Sequence, residues 1–134
     1  MTLALVYLTT FFVFLALDAM WLGLVSGSFY SAALGGLMLD GFRVIPAVLF
    51  YLLYVSGIVM FVLPPARLPA GRWVAAMYGA FFGLCAYGTY DLTNLAVLRV
   101  WTWQITVIDM AWGAFVTGAA SLIGAWVDRR RNSE

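Results

Sequence analysis

Residues 87–94 read Tyr87-Gly88-Thr89-Tyr90-Asp91-Leu92-Thr93-Asn94, a run of hydrogen-bonding side chains inside one of the longest apolar segments of the chain. An ionisable residue within such a segment is costly in a membrane, and it marks a functional site by default. Asp91 has two counterparts in other apolar segments, Asp18 and Asp109. The pattern therefore predicts a polar site in a membrane protein, although it names neither a ligand nor a reaction.

The composition of the whole chain supports this interpretation. Its 134 residues are 65% hydrophobic and 10% charged, with a mean hydropathy of +0.99, whereas soluble domains are about 45–50% apolar. We therefore predict one polytopic membrane domain over residues 1–134. The net charge is +1 and every basic residue is an arginine, so the chain lacks the basic surface that nucleic-acid binding requires.

The chain offers few residues that hold cofactors. It contains one cysteine, Cys85, and no histidine, so the usual ligands of zinc, haem and iron–sulfur clusters are missing. We expect no cofactor, no protein-held metal, and a packing role for Cys85 in the core. The first apolar segment lacks a basic leader and is longer than a signal sequence requires, and we interpret it as a retained span.

Four segments are long enough to cross a hydrocarbon core of about 30 Å as helices, which takes roughly 20 residues. They cover residues 3–25, 44–63, 73–98 and 103–127. The second ends at Pro64-Pro65, because proline donates no backbone hydrogen bond and restricts the residue before it. The sequence predicts an all-α integral membrane protein with four transmembrane helices in a bundle.

The connections and ends of these spans carry orientation signals. Residues 26–43 contain Tyr30 and an apolar Leu37-Met38-Leu39 cluster, for which we expect a short interfacial helix between spans one and two. Tryptophans near the span ends are typical of membrane interfaces; these are Trp73, Trp101, Trp103 and Trp126. Arginines favour the cytoplasmic side. Five of them, Arg67, Arg72 and Arg129-Arg130-Arg131, fall on the side of both termini, against Arg43 and Arg99 on the other, which predicts cytoplasmic termini.

The three aspartates have similar predicted depths. A rise of about 1.5 Å per residue places Asp18, Asp91 and Asp109 each roughly 9–11 Å below the outer surface. Tyr51 and Tyr54 of the second span fall in the same layer, so every span contributes a polar side chain. We therefore expect the three carboxylates to lie close together.

Helical spacing groups the neighbours of each aspartate on one face. Residues three or four apart share a face, which joins Tyr87 and Asn94 to Asp91, Trp21 to Asp18, and Trp112 to Asp109. The predicted ligand-binding residues, of which the three aspartates are also catalytic candidates, are Asp18, Trp21, Tyr51, Tyr54, Tyr87, Tyr90, Asp91, Asn94, Asp109 and Trp112. Small residues at Gly79-x-x-x-Gly83, Ala114-x-x-x-Gly118 and Ala120-x-x-x-Gly124 favour close helix packing.

A structural interpretation remains open beside the functional one. The aspartates would then only join helices through tyrosine, threonine, asparagine and tryptophan side chains. Trp21 and Trp112 would be interface anchors or packing residues. Arg43 and Arg99 are the only cations with a plausible reach into the layer from outside.

The chain also resembles a known family at Leu17-Asp18-Ala19-Met20-Trp21-Leu22-Gly23, Phe50-Tyr51-Leu52-Leu53-Tyr54, residues 87–94 and Asp109-Met110-Ala111-Trp112-Gly113. These stretches are similar to domain of unknown function 2177, a set of small bacterial inner-membrane proteins, and the resemblance covers nearly the whole chain. The resemblance implies four spans and a bacterial cytoplasmic membrane. The cytoplasmic position of both termini is predicted separately, by the arginine count. The resemblance implies no activity.

Three functional hypotheses follow. The first is a bundle that binds a hydrophobic or lipid-like small molecule in an outward-facing polar pocket, with acid/base chemistry by the aspartates as an enzymatic form. The second is an accessory subunit that docks on a larger membrane protein complex. The third is a proton- or cation-coupled carrier that acts as an oligomer. The expected partners are membrane lipid and either copies of this chain or a larger membrane complex.

Overall fold

The computed structural model describes residues 3–67 and 71–131, except the side chains of residues 26, 66, 67 and 131. This part is helical and contains no strand. Its long helices are α1 (Leu3–Trp21), α3 (Val44–Gly57), α4 (Arg72–Val97) and α5 (Trp103–Arg131), and the short helix α2 (Gly27–Leu34) follows α1. The predicted all-α fold is confirmed. The ends of the predicted domain, residues 1–2 and 132–134, lie outside the described residues.

Two π-helical turns extend α1 and α3. The first, Leu22–Ser26, joins α1 to α2 without a break, since Gly27 keeps helical angles of φ −56° and ψ −48°. The second, Ile58–Val62, continues α3 to the proline pair, where the 3₁₀ turn Pro64–Arg67 begins. The α-helix cannot continue there, because neither proline supplies a backbone donor.

Three helices in the described part of the chain are long and apolar enough to cross a membrane: Leu3–Val25, Val44–Val62 and Trp103–Arg130. Helix α4 has 26 residues, which is sufficient length at about 1.5 Å per residue. Its hydropathy is lower because it includes Arg72, three glycines and the polar run at residues 87–94. A fourth span on α4 therefore stays a prediction.

Helix α5 is the central element, since it packs against α4 along much of its length and against α1 on another side. Helix α1 buries Val6, Thr10, Phe14 and Asp18, four side chains spaced four residues apart. Residues at that spacing form one stripe on a helix, so this stripe of α1 faces the interior of the bundle. The Thr10 hydroxyl donates to the Val6 carbonyl at 2.8 Å, which satisfies it inside the apolar bundle.

Glycines bring α4 and α5 into close contact. Gly79 and Gly83 are buried on α4, and a Cβ built on Gly83 would lie 2.6 Å from Thr117 Oγ1 and against the Gly113 carbonyl group. Close backbone approach is how small residues stabilise membrane helix pairs. Glycine and alanine occupy the inner face of α4. Cys85 lies on the exposed side of the same helix. The prediction that Cys85 packs in the core was wrong.

Candidate functional site

A cavity of about 550 Å³ lies between the helices at the end of the bundle where α1 passes into α2. Small-molecule pockets typically have volumes of about 300–1,000 Å³. The walls are mainly aromatic, and the aromatic lining residues are Trp21, Tyr30, Phe50, Tyr54, Tyr87, Tyr90, Trp101 and Trp112. Two carboxylates, Asp18 and Asp109, are the charged groups in the lining.

Asp18 connects three helices. Its Oδ2 accepts a hydrogen bond from the Tyr51 hydroxyl of α3 at 2.5 Å, and its Oδ1 accepts one from Trp112 Nε1 of α5 at 3.3 Å. The side chain is only 7% exposed. Both donors are neutral, so they orient the carboxyl group of Asp18 without placing a positive charge beside it.

Two tryptophans form a flat wall of the cavity. The rings of Trp21 and Trp112 stack with a centroid separation of 4.5 Å and an interplanar angle of 7°. Trp21 lies three residues after Asp18 and Trp112 lies three after Asp109, so each ring shares a helix face with an aspartate. The stack therefore stands beside both carboxylates.

Asp109 is held by a residue from outside the long helices. The Tyr30 hydroxyl of α2 donates to Asp109 Oδ1. Burial, and then the adjoining Asp109 carboxylate, raise the pKa of the Tyr30 phenol well above its usual range, so the phenol keeps its proton and acts as the donor.

The Tyr30 contact requires the chain to bend between α1 and α2. The twelve residues from Asp18 to Tyr30 would span about 18 Å along a straight helix. Their partners, Trp112 and Asp109, are three residues apart on α5, which is about 4.5 Å. The turn Leu22–Ser26 separates the two contacts, and π-helical turns are frequent sites of helix kinks. Helix α2 is therefore directed over the cavity.

Asp91 lies behind the lining. It is 0% exposed. Its carboxyl group lies beside the Asp109 carboxyl and the Trp101 indole, although neither contact has the geometry of a full hydrogen bond. Asp91 and Asp109 therefore form an acidic pair, of which Asp109 lines the cavity.

A match to a protein family shows which proteins this chain is related to. A family model described as "Predicted membrane protein (DUF2177)" matches residues 3–126. The chain belongs to the DUF2177 family. The resemblance noted in the sequence is thereby confirmed. Comparisons with curated proteins and with solved structures found no match.

Seven of the ten predicted ligand-binding residues of this DUF2177 protein line the cavity; they are Asp18, Trp21, Tyr54, Tyr87, Tyr90, Asp109 and Trp112. The other three lie outside the lining. Tyr51 is bonded to Asp18, Asp91 is next to Asp109, and Asn94 is partly buried beside Tyr90. The ten residues therefore lie in or next to one region of the bundle, and their role in ligand binding stays a prediction.

Among the lining residues that sequence reasoning missed, Trp101 and Tyr30 carry hydrogen-bonding groups. Trp101 was interpreted as an interface tryptophan, but it is 6% exposed and meets Tyr90 edge-on at 5.4 Å. Tyr30 was assigned to the connection between spans and not to the site. The apolar character of residues 26–43 was the available signal, since Leu34 and Met38 of that segment also line the cavity.

The three carboxylates of the DUF2177 site do not converge on one point. Asp91 and Asp109 are neighbours, whereas Asp18 is held by Tyr51 and Trp112. Among the described residues, no group of three histidine, cysteine, aspartate or glutamate side chains is arranged to hold a metal ion. The arrangement is a lined cavity with Asp109 on one wall, backed by the buried Asp91, and Asp18 on another wall.

Proposed function

We propose that this DUF2177 membrane protein binds an amphipathic, lipid-like small molecule in the cavity. The apolar body of the ligand lies against the aromatic walls, and its polar head faces Asp18 and Asp109. The observation that carries the proposal is the combination of eight aromatic side chains with two carboxylates around about 550 Å³. Ligand pockets are typically apolar with a few convergent polar groups.

The position of the cavity mouth favours a ligand from the membrane. Leu22, Met38 and Phe50 line the cavity and are themselves 50%, 44% and 43% exposed. These residues belong to the π-helical turn, to the connection after α2, and to α3. An entrance surrounded by exposed apolar side chains suits a molecule that arrives through the apolar phase.

An enzymatic form of this proposal would use the Asp91 and Asp109 pair. Two close carboxyl groups do not both ionise comfortably, so one acts as a base while its neighbour donates a proton. Asp109 lines the cavity and Asp91 adjoins it, which places the first within reach of a bound head group.

Filling the cavity is expected to remove the ligand. Ala86 lines the cavity, and Ala86→Phe introduces a ring into the space between the aromatic walls. The amount of small molecule that copurifies with the protein in mild detergent, measured by native mass spectrometry, should fall about tenfold, which corresponds to roughly 1.4 kcal/mol of binding free energy.

Ala111→Phe is the matched control, because Ala111 is exposed on α5 and does not line the cavity. This variant should retain the ligand at the parent level. Equal retention by both variants, with unchanged thermal midpoints, would show that the bound molecule lies elsewhere and would overturn the proposal.

We also propose four spans in a bacterial inner membrane with both termini cytoplasmic, which rests on the arginine distribution and on the length of α4. A reporter that is active only outside the cytoplasm should be active when fused after Val100 and silent when fused after Glu134. If α4 does not cross, the two results are reversed. Reversed results would overturn the proposed topology, because they would require three spans or four spans with both termini outside the cytoplasm.

A further inference from the structure

The charged groups that line the cavity indicate the chemical class of the ligand's head group. The cavity is acidic. Asp18 and Asp109 line it, no arginine is among the described lining residues, and the hydrogen bonds that reach the two carboxylates come from neutral tyrosine and tryptophan donors. An anionic head such as a phosphate or a carboxylate would therefore meet like charges without compensation.

Asp91 adds an independent observation. Its side chain is fully buried beside the Asp109 carboxyl and the Trp101 indole, and neither contact has the geometry of a full hydrogen bond. Asp91 therefore backs the Asp109 side of the cavity with a second acidic group. A positively charged ligand beside Asp109 is attracted by the negative charge that this pair carries.

The walls favour an organic cation over a metal ion. A metal ion requires several converging ligands, and the described residues provide no group of three. The faces of tryptophan and tyrosine rings attract organic cations, and aromatic cages of this kind hold quaternary ammonium groups. The stacked Trp21 and Trp112 pair and the phenols of Tyr87 and Tyr90 surround the acidic wall.

Resting on the proposed function, we infer that the molecule bound in this cavity is a lipophilic cation, an amine or ammonium group on an apolar body. The head lies between the Trp21 and Trp112 wall and the carboxylates of Asp18 and Asp109. The apolar body extends toward the mouth formed by Leu22, Met38 and Phe50.

The test compares three probes with the same twelve-carbon chain: dodecyltrimethylammonium, dodecanol and dodecanoate. Binding to the full-length protein in nanodiscs of neutral lipid is measured by equilibrium dialysis, and the value for nanodiscs that hold the Ala86→Phe protein is subtracted. The ammonium probe should bind at least about tenfold more tightly than dodecanol, because a desolvated cation–π contact and a carboxylate add to the same apolar burial. Dodecanoate should show no cavity-dependent binding.

The outcomes separate the two proposals. Equal or tighter binding of dodecanol or dodecanoate would overturn the cationic head group and leave the lipid-like binding function standing. Absence of cavity-dependent binding by all three probes would overturn both. The Asp109→Asn protein should lose the preference for the ammonium probe and keep its affinity for dodecanol. The parent series decides the proposal even if this variant does not fold.

Discussion

Replacing Gly83 by leucine is expected to prevent stable packing of α4 on α5. A Cβ at this position would lie 2.6 Å from Thr117 Oγ1 and against the Gly113 carbonyl group, so part of the clash is with backbone and cannot be relieved by a rotamer change. Overpacking of a tight contact costs about 1–3 kcal/mol in free energy of unfolding and occasionally more, and a clash with backbone atoms belongs at the upper end of this range. The thermal midpoint in detergent, followed by circular dichroism, should fall steeply, or folded protein should not be recovered.

The control for this substitution is Gly23→Leu. Gly23 has no heavy atom within 4 Å of a built Cβ, and leucine has a higher helix propensity than glycine by roughly 0.8–1 kcal/mol. The control should therefore be neutral or slightly stabilised. A Gly83→Leu protein as stable as the control would mean that α4 and α5 do not approach each other as closely as described.

The second large effect is expected in a double-mutant cycle on Asp91 and Asp109. The two carboxyl groups are neighbours in the bundle, so replacing either by asparagine changes the surroundings of the other. The free energies of unfolding of Asp91→Asn, Asp109→Asn and the double variant should be non-additive by about 1–3 kcal/mol.

Asp18 provides the comparison pair for this cycle. Its carboxyl group is held by Tyr51 and Trp112, and among the described residues no hydrogen bond joins it to Asp91, so the Asp18 and Asp91 substitutions should add within about 0.5 kcal/mol. An additive Asp91 and Asp109 pair would show that these carboxyl groups are not in contact. Strong coupling of Asp18 with Asp91 would require a more compact cluster than the structure contains.

Much of the fold was predictable because membrane helices are encoded locally. Length and hydropathy identify the apolar helices, Pro64-Pro65 ends α3, and glycines spaced four apart mark the contact between α4 and α5. The position of Cys85 on the exposed side of α4 was not predictable in the same way. When lipid and core are both apolar, hydropathy does not distinguish a side chain that faces lipid from one that packs inside.

The site was predictable in its members but less so in its contacts. Helical rise and spacing placed Asp18, Asp91 and Asp109 near one depth with tryptophans on the same faces, and all three lie in or beside one cavity. The same reasoning did not assign Trp101 to the interior, because a tryptophan at the end of a span fits the interface equally well.

The sequence by itself determined the helical membrane fold, the small-residue contacts, and the shared level of the polar residues, because each depends on composition and on spacing along one helix. Only the tertiary structure decided that Asp109 pairs with Asp91 while Asp18 binds Tyr51 and Trp112. It also decided that Tyr30 reaches over the cavity to Asp109. These contacts depend on the rotation of each helix about its axis and on the bend at Leu22–Ser26, which periodicity does not encode.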